Sequence, residues 1–548
     1  MKIIKVIGTM VLGLVLSAYL SAAEKNQGID MLRLGEYDLA KQFFTEALGQ
    51  DKAKALYYLG EVEWEQGNMP EAAAKYNEAL NADPESFYAQ VGVAKVDLKQ
   101  NPKEAKKALE NIYKKNKKDV QLILEVAKAF YDNEMNEDAD KAVSEARKAD
   151  NKSPLIYILL GDRALKAGKA GDAAMQYDQA INFDNTNVLA LIKAGKVYEN
   201  INSNVASELL KKASEVDPSN RLVNRYLAKV YSQNGRYAQA TKIYADYFME
   251  GSYNLEDIRY FSNALYFNKN YSEAREILNL GLEKDKDNFV FNRLLMYVEY
   301  ELKDLDKGLE VAKHFFTLRA DQDNGYLDKD YVTYGKLLAE SGNIDEAVMA
   351  FTKAVELNPD NIELYKELAS TMSADKLYEP AADFQNRYIQ AKGGAADATE
   401  YYQLGRFYQS AAAAIKDTIP EALDKRIGLF KKADMAFEVL TEKRPDNYLG
   451  YYMRAGVNSM LDPQLKEGLA KPFYEKALEL IEAAGEMEQR QNIVLTVYEY
   501  LAVYYFYDFA DTNSKESKQT AKEYCEKYLN LNPDKESMKS MLENLEQQ

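Results

Sequence analysis

The stretch "DKDYVTYGKLLAESGNIDEAVMAFTKAVELNPDN", residues 328–361, contains two apolar stripes separated by a break. The first stripe has helical spacing and is formed by Tyr331, Val332, Gly335 and Leu338. The second is formed by Ala347, Phe351, Ala354 and Val355. Gly342 interrupts the pattern, because glycine tolerates the left-handed backbone that ends many helices, and Pro359 closes it. The stretch therefore predicts a helix–turn–helix unit.

An alanine followed four residues later by a bulky residue recurs on both sides of this unit. The examples with a bulky apolar side chain before it are Ala40/Phe44, Ala72/Tyr76, Ala105/Leu109, Ala139/Val143, Ala173/Tyr177, Ala206/Leu210, Ala240/Tyr244 and Ala274/Leu278. Weaker or later examples are Gly308/Ala312, Ala347/Phe351, Ala381/Gln385, Ala433/Phe437, Ala470/Tyr474 and Ala521/Cys525. Most of them follow one another at nearly constant intervals. A fixed period of about 34 residues predicts an all-α solenoid, because one unit cannot bury its apolar face without a neighbour.

Three further sets of residues recur in register with this period. A small residue of the first helix is matched by Gly60, Gly161, Gly195, Ala228 and Gly335. A terminating glycine is matched by Gly67, Gly168, Gly235 and Gly342, and a closing proline by Pro84, Pro218, Pro359, Pro445 and Pro533. The pattern resembles the tetratricopeptide repeat. The resemblance implies about fourteen helix pairs in a right-handed superhelix with a concave groove, and it implies no particular reaction.

The regularity of the repeats divides the chain. We expect a regular array of about nine repeats at 24–318, a linker at 319–330 and a modified array of about five repeats at 331–535. Three insertions distinguish the modified array, at 410–428, 461–471 and 508–520. Residues 536–548 are polar enough to form a capping helix, which terminal repeats require.

Residues 1–23 have the features of an export signal. Lys2 and Lys5 precede the apolar run 6–16, and small residues lie just before Glu24. The run is short for a membrane span, and no cysteine near it would allow lipoprotein processing. We therefore expect cleavage before Glu24 and an exported product that is soluble in the periplasm or associated with the envelope, not a lipoprotein.

The net charge argues against nucleic acid as a partner, and the cysteine content excludes internal disulfide bonds. The formal net charge is −17, and without the signal it becomes 68 − 87 = −19, because two lysines are removed. Such an acidic chain repels phosphate backbones, so nucleic acid is not an expected partner. Cys525 is the only cysteine, so no internal disulfide can form.

The sequence offers no recognisable catalytic residues, metal ligands or cofactor motif. His314 is the only histidine and is interpreted as a helix-surface residue, while Cys525 stands at a packing position and should be a buried thiol. No phosphate-binding loop, nucleophile elbow or zinc-binding helix motif occurs. We therefore expect a non-enzyme without cofactor or metal.

Most of the 42 tyrosines have a structural interpretation. Those at the bulky packing position are Tyr76, Tyr177, Tyr244 and Tyr474, and those where first helices should pack are Tyr198, Tyr231 and Tyr408. The segment "EYLAVYYFYDF", 499–509, is more aromatic than one buried stripe needs. Its period buries Leu501, Ala502 and Tyr505 and leaves Tyr500, Phe506 and Tyr507 on another face. That face is either a partner-binding patch or the support of the insertion that follows.

Three arginines, Arg225, Arg259 and Arg293, are equally spaced in the sequence, one on each of three successive predicted first helices. We expect these arginines to lie off the packing stripe of their helices, at exposed positions, and the resemblance places their face toward the concave groove. The predicted partner-binding groove comprises Arg225, Tyr226, Lys229, Arg259, Tyr260, Asn263, Arg293, Tyr297 and Lys196, with Lys193 beside them. Arginine forks bind carboxylates or main-chain carbonyls, and aromatic rings offer flat contacts, so an extended peptide is the expected ligand. The alternative is that each arginine pairs with acids of its own or the next helix, such as Glu256.

These features favour a non-catalytic scaffold that binds other proteins or extended peptides of the bacterial cell envelope. A second hypothesis is a carbohydrate-binding or cell-wall-associated factor in which tyrosines stack on sugars. A third is an enzyme whose site lies in the irregular C-terminal repeats. The clamp that some family members use for chaperone tails would need asparagine at Tyr260, lysine at Val290 and arginine at Leu294, so that ligand is not expected.

Overall fold

The computed structural model describes residues 22–249, 251, 253–319 and 325–547. Within these ranges the regular structure is helical, with 29 α-helices and two short 3₁₀ turns and no strand. The all-α solenoid predicted from the period is confirmed. Most of the expected export signal, residues 1–21, lies outside the described residues.

The chain divides into two compact units, residues 1–286 and 287–548. The helices of the N-terminal unit are α1 (Ala22–Leu34), α2 (Tyr37–Glu46), α3 (Lys52–Glu65), α4 (Met69–Ala82), α5 (Phe87–Asp97), α6 (Pro102–Lys115), α7 (Val120–Asp132), α8 (Asn136–Ala149), α9 (Pro154–Lys166), α10 (Ala170–Phe183), α11 (Val188–Tyr198), α12 (Ser203–Val216), α13 (Arg221–Gln233), α14 (Tyr237–Met249), α15 (Leu255–Phe267) and α16 (Tyr271–Lys284).

The helices of the C-terminal unit are α17 (Phe289–Glu301), α18 (Leu305–Phe315), α19 (Asp328–Glu340), α20 (Ile344–Leu357), α21 (Ile362–Ala374), α22 (Tyr378–Lys392), α23 (Ala398–Ala414), α24 (Pro420–Lys443), α25 (Tyr448–Leu461), α26 (Lys471–Ala483), α27 (Gln491–Thr512), α28 (Lys515–Leu531) and α29 (Glu536–Gln547). In both units each odd-numbered helix up to α27 pairs with the helix after it. We call the odd-numbered member the first helix of its repeat.

Close contact between a small residue and an aromatic ring joins the two helices of a repeat. In α19 and α20, a Cβ added to Gly335 would lie 2.6 Å from the ring of Phe351, closer than real atoms approach. Phe351 is fully buried, as are Tyr76, Tyr177 and Tyr244 at the same position of other repeats. The small and bulky residues that define the period are therefore the two sides of one packing contact.

The turn between paired helices needs a left-handed residue. Gly342 has φ +81° and separates α19 from α20, as its place in the sequence predicts. Its amide donates to the carbonyl of Ala339 at 3.0 Å, which satisfies a carbonyl at the end of α19. The second helix ends at Leu357, two residues before Pro359.

Two of the three expected insertions are absorbed into helices. Residues 410–428 extend α23 and α24, so the expected interruption shrinks to 415–419. Pro420 permits this because proline is tolerated in the first turn of a helix. Residues 508–520 likewise continue α27 and α28 around a left-handed Asn513. Only 462–470 forms the expected long connection, held by Asp462, whose carboxylate accepts from the amide of Gly468 at 2.8 Å.

The predicted linker, 319–330, and the predicted capping segment, 536–548, are both partly helical in the structure. Five residues of the predicted linker, 320–324, lie outside the described residues, and α19 begins within it at Asp328. The expected capping segment contains α29, which buries Met538 and Leu545. No helix of the described ranges has both the length and the apolar character that crossing a bilayer requires.

The Gly335→Ala variant should be less stable, because the Phe351 ring must shift to admit a methyl group. We expect the free energy of unfolding to fall by about 1–3 kcal/mol, measured by urea unfolding monitored by circular dichroism. Gly428→Ala is the matched control, since Gly428 also lies inside a helix but has open space around a Cβ. The control should be neutral or slightly stabilising, and equal losses for both variants would contradict the packing argument.

Candidate functional site

A cavity of about 750 Å³ opens on the first helices of the N-terminal unit. Its walls come chiefly from α1, α3, α7, α9 and α11. The lining carries both signs of charge: the acids include Glu61, Glu65, Glu125, Asp132 and Asp162, and the bases include Arg33, Lys128, Arg163, Lys166, Lys193 and Lys196. We call this cavity, together with Arg225 and Tyr226 of α13, the N-terminal groove.

One side of the groove is a dense network of buried ion pairs. Lys95 is 1% exposed and its ammonium lies 2.8 Å from both Glu61 and Asp132. Lys128 reaches Glu61 at 2.5 Å, Glu65 at 2.7 Å and Asp132 at 3.2 Å. Because buried charges are costly unless paired, these residues depend on one another and form a structural cluster.

The three carboxylates of this cluster also have the spacing of cation ligands. Oxygens of Glu61, Glu65 and Asp132 lie within 4.8 Å of one another. The ammonium of Lys128 lies among them and supplies positive charge there. Burial opposes ionisation of Glu61, but Lys128 and Lys95 outweigh it and lower the pKa of Glu61 to about 2. With Lys166, whose ammonium lies 3.3 Å from Asp132, the cations Lys95 and Lys128 balance the three carboxylates, so the cluster is an internally neutralised charge network.

Arg225 does not have the exposed position that the arginine pattern predicts. It is 5% exposed, and its Nη1 lies 2.6 Å from Glu36 while its Nε lies 2.6 Å from Asp257. Asp257 is itself buried and belongs to the capping box of α15. The expectation that Arg225 lies off the packing surface is therefore wrong, because a buried guanidinium with two acids fixes the first hairpin and α15 to α13.

Tyr226 and Lys196 lie beside Arg225, as predicted, but both contact the turn between α1 and α2. The Tyr226 hydroxyl donates to Glu36. Lys196 donates to the carbonyl of Leu34 at 3.1 Å, and burial, helped by the nearby Lys193 cation, lowers the pKa of Lys196 to about 8. The structure thus places these predicted ligand-binding groups against a segment of the chain itself.

The residues of the predicted partner-binding groove that lie on α15 are more exposed. The Arg259 side chain is 46% exposed, stacks over the Tyr260 ring at 4.7 Å, and comes no closer than 3.9 Å to the carboxylate of Glu256. Lys229 lies between Glu199 at 3.3 Å and Glu256 at 3.2 Å. Asn263 is half-buried one turn after Arg259. Here the sequence alternatives coexist, since Lys229 is paired and Arg259 remains accessible.

Arg293 and Tyr297 belong to the C-terminal unit and converge on one acid. The Nε of Arg293 lies 3.0 Å from Asp330, which is fully buried, and the Tyr297 hydroxyl donates to the same carboxylate. Asp330 also accepts from the amide of Leu327 at 2.7 Å at the start of α19. The alternative in which the arginine pairs with an acid of the next helix therefore describes Arg293.

Sequence reasoning missed, as a set, the charged residues that follow the small residue of each first helix. This column contains Glu61, Lys95, Lys128, Asp162, Lys196 and Lys229, one in each of six successive repeats. Its mixture of signs was a visible signal, and Glu61 with Lys95 and Lys128 shows that neighbours pair. Glu36 was also missed, and no local signal connects it with Arg225.

The other candidate residues behave mostly as their positions predict. Cys525 is fully buried, and burial raises the pKa of its thiol to about 11, so it is a packing residue. His314 lies on α18 and its side chain is 44% exposed, with Nε2 at 3.2 Å from Asp287. Tyr474 is buried at the packing position, as expected.

The aromatic segment of α27 is more closely packed than a flat exposed patch. Leu501 and Ala502 are fully buried as predicted, whereas Tyr505 is only half-buried and its hydroxyl donates to Glu475 at 2.8 Å. Of the three predicted outward residues, Tyr507 is 53% exposed, while the other two, Tyr500 and Phe506, are half-buried. Much of this aromatic surface is thus used by packing within the C-terminal unit.

Comparison with known proteins agrees with the repeat geometry. Models of the tetratricopeptide repeat match residues 25–87 and 331–361. The chain contains tetratricopeptide repeats. It is also 23% identical over 203 residues to the human protein O-mannosyl-transferase TMTC1. The match covers 37% of the chain and spans 23% of the length of that human protein.

Solved structures of other tetratricopeptide repeat proteins are similar to parts of the chain. One is the C-terminal part of a repeat protein from Cytophaga hutchinsonii, 25% identical, covering 52% of this chain and 99% of that one with a TM-score of 0.35. Another is PilF of Pseudomonas aeruginosa, 16% identical, covering 40% of this chain and 98% of that one with a TM-score of 0.33.

The Arg225→Ala variant should be strongly destabilised, because Asp257 would lose its buried cation. We expect the free energy of unfolding to fall by about 3–5 kcal/mol in urea titrations followed by circular dichroism. Lys211→Ala is the control, since Lys211 forms an exposed pair with Glu215 at 3.6 Å, and it should change stability by less than about 0.5 kcal/mol. An Arg225→Ala protein as stable as the control would show that the buried pairs do not support the fold.

Stability should also depend on pH through Glu61. Its pKa is lower in the folded protein than the ordinary value of 4.5, so its contribution is present above pH 4.5 and is lost as pH falls toward about 2. Glu61→Gln should therefore cost about 3–5 kcal/mol at pH 7 and clearly less at pH 3. Urea unfolding at both pH values measures this difference.

The control for this pH effect is Glu78→Gln, which alters an exposed pair with Lys75 on α4. It should have little effect at either pH. A cost of Glu61→Gln that stays the same at pH 7 and pH 3 would mean that the carboxylate is not held ionised by Lys95 and Lys128.

Proposed function

We propose that this protein is a non-catalytic scaffold of the bacterial cell envelope that binds an extended peptide of a partner protein. The repeat fold supports this because tetratricopeptide repeats carry no reaction of their own and present stacked first helices to partners. The proposed binding residues are, in the N-terminal unit, Arg225, Tyr226, Lys229, Arg259, Tyr260, Asn263 and Lys196, and, in the C-terminal unit, Arg293 and Tyr297. These residues differ in how much they can offer a ligand.

The observation that carries the proposal is the exposed arginine of α15. The Arg259 guanidinium lies over the Tyr260 ring at 4.7 Å, yet nearly half of its side chain is exposed and its distance to Glu256 is 3.9 Å. A guanidinium in this state can donate paired hydrogen bonds to a carboxylate without breaking a buried contact. The tyrosine ring and half-buried Asn263 add a flat apolar surface and an amide beside it.

The setting of this scaffold is proposed from the sequence of residues 1–23. An apolar run after two lysines, followed by small residues, favours export and cleavage before Glu24. The acidic character of the remaining chain disfavours nucleic acid as a partner. The partner is therefore sought among envelope proteins. Mass spectrometry of the protein purified from native envelopes shows whether the mature chain begins near Glu24.

Arg259→Ala tests the proposal. We expect the variant to fold normally and to bind the envelope partner about tenfold or more weakly, because a charge-assisted hydrogen bond contributes about 1.5–3 kcal/mol. The partner is first isolated by crosslinking in native envelopes and purified, and its affinity is then measured by calorimetry at low and high salt. The loss should shrink at high salt, since exposed charge interactions are screened.

Arg236→Ala provides a matched control. Arg236 also stacks on a tyrosine, Tyr231, at 4.2 Å, but it lies at the turn before α14 and not on a first helix. This variant should bind the partner as well as the unaltered protein does. Equal partner affinities of the Arg259→Ala and Arg236→Ala variants would remove Arg259 from the site. If free glycans, and not acidic peptides, compete with the partner for binding, the carbohydrate-binding alternative is supported.

A further inference from the structure

The turn between α1 and α2 lies in the N-terminal groove and is held there by three cations. Lys193 donates to the carbonyl of Arg33 at 2.6 Å, and Lys196 donates to the carbonyl of Leu34 at 3.1 Å. Arg225 donates to the carboxylate of Glu36 at 2.6 Å. These contacts join residues that are 160 or more positions apart in the chain.

This set of contacts has the chemistry of peptide recognition. Two ammonium groups bind neighbouring main-chain carbonyls, which every peptide has, so these contacts do not depend on side-chain identity. Arg225 and the Tyr226 hydroxyl bind a carboxylate two residues later, so they select an acidic residue. The four-residue stretch 33–36 is therefore bound as a short peptide with one carboxylate side chain would be.

Two of the four binding groups have acidic partners other than the turn. Lys193 also pairs with Asp162 at 2.6 Å, and Arg225 also pairs with Asp257 at 2.6 Å. Each of these two cations is thus anchored by an acid on another first helix and would remain oriented if the turn moved away. Preorganised donors of this kind favour binding because little ordering is lost on association.

Besides the three cations and Tyr226, Arg33 secures the turn, because its guanidinium lies 3.5 Å from the carboxylate of Glu125, and the other hydrogen bonds of the turn are local. Gly35 has φ +81°, and no atom lies within 4 Å of where its Cβ would be. Its amide donates to Leu32 at 3.1 Å, and the amide of Glu36 donates to Met31 at 2.9 Å. Because a residue other than glycine is strained at this φ, a substitution at Gly35 can loosen the turn.

Free space continues beside the turn. Leu34, Gly35 and Lys196 all line the 750 Å³ cavity, so the turn fills one end of the groove and leaves the rest open. A longer peptide that replaced the turn would have room to extend along the first helices α9 and α11, whose residues line the same cavity.

We propose that Lys193, Lys196, Arg225 and Tyr226 form a binding subsite for a short peptide segment that carries a carboxylate side chain, and that the α1–α2 turn occupies this subsite as an intramolecular competitor. The inference rests on the proposed scaffold function and adds the chemical class of its partner and a means of regulation. A partner peptide binds by displacing the turn. Its apparent affinity is reduced by the fraction of molecules in which the turn is seated.

Two substitutions weaken the competitor without altering the subsite. Gly35→Ala places a Cβ at a positive φ and so strains the turn without a clash in the groove. Glu36→Gln acts through charge and not through backbone strain. It removes the competing carboxylate and leaves Arg225 paired with Asp257. Gly67→Ala is the matched control, since Gly67 has φ +83° and equal space at the α3–α4 turn, where residues 66–68 do not line the cavity.

The probe is a fluorescent synthetic peptide with the sequence of residues 31–39, "MLRLGEYDL", titrated into the full chain and followed by anisotropy. We expect Gly35→Ala and Glu36→Gln to bind it about tenfold more tightly than the unaltered protein, whereas Gly67→Ala should not. A peptide with glutamine in place of its single glutamate should bind about tenfold more weakly to both variants.

The inference is overturned if neither variant binds the peptide more tightly than Gly67→Ala, or if the glutamine peptide binds as tightly as the parent. Its failure differs from failure of the scaffold proposal. A negative peptide result together with partner binding that depends on Arg259 would leave the scaffold function intact and make the α1–α2 turn a purely structural element. If instead the variants bind the peptide but no envelope partner is found, the peptide subsite stands and the proposed scaffold function in the envelope fails.

Discussion

The fold depends on a single repeated contact, an aromatic or aliphatic knob of the second helix seated against small residues of first helices. Tyr76 shows why the contact is so constraining. A Cβ at either Gly60 or Gly92 would collide with its ring. Gly60 lies on α3 of the same repeat and Gly92 on α5 of the next, so one ring completes the core of two repeats. This is the physical reason that a single repeat cannot stand alone.

Because these knobs set the spacing of first helices, they also decide which polar residues meet. Glu61 directly follows Gly60, and Lys95, which directly follows Ala94, lies 2.8 Å away although both are 1% exposed. Desolvation offsets much of the energy of such a buried pair. Its stronger effect is on register, since a shifted pairing of repeats would leave Lys95 buried without an acid. Packing and charge therefore specify the same arrangement.

Features that depend on neighbours in sequence could be predicted, and those that depend on distant neighbours could not. The left-handed turn at Gly342 and the buried Phe351 follow from residue type and period, and both were predicted. The lengthening of α23 and α24 was missed, although an alanine-rich run and a proline allowed in a first helical turn were visible. The pair Glu36–Arg225 joins positions 189 apart and results from how successive repeats stack. No local pattern contains that information.

The three equally spaced arginines, Arg225, Arg259 and Arg293, show how a repeat can mislead about a binding site. Equal spacing in the sequence does not give them equal surroundings in the structure. An acid of the same chain has a high effective concentration, so it occupies any arginine it can reach before a free ligand does. Asp330, which binds Arg293, is fully buried at the start of α19, so its release would open the core around it. Glu36, which binds Arg225, keeps 16% exposure of its side chain. Burial of the internal acid, more than the strength of one ion pair, therefore determines which arginine can exchange an internal acid for an external one.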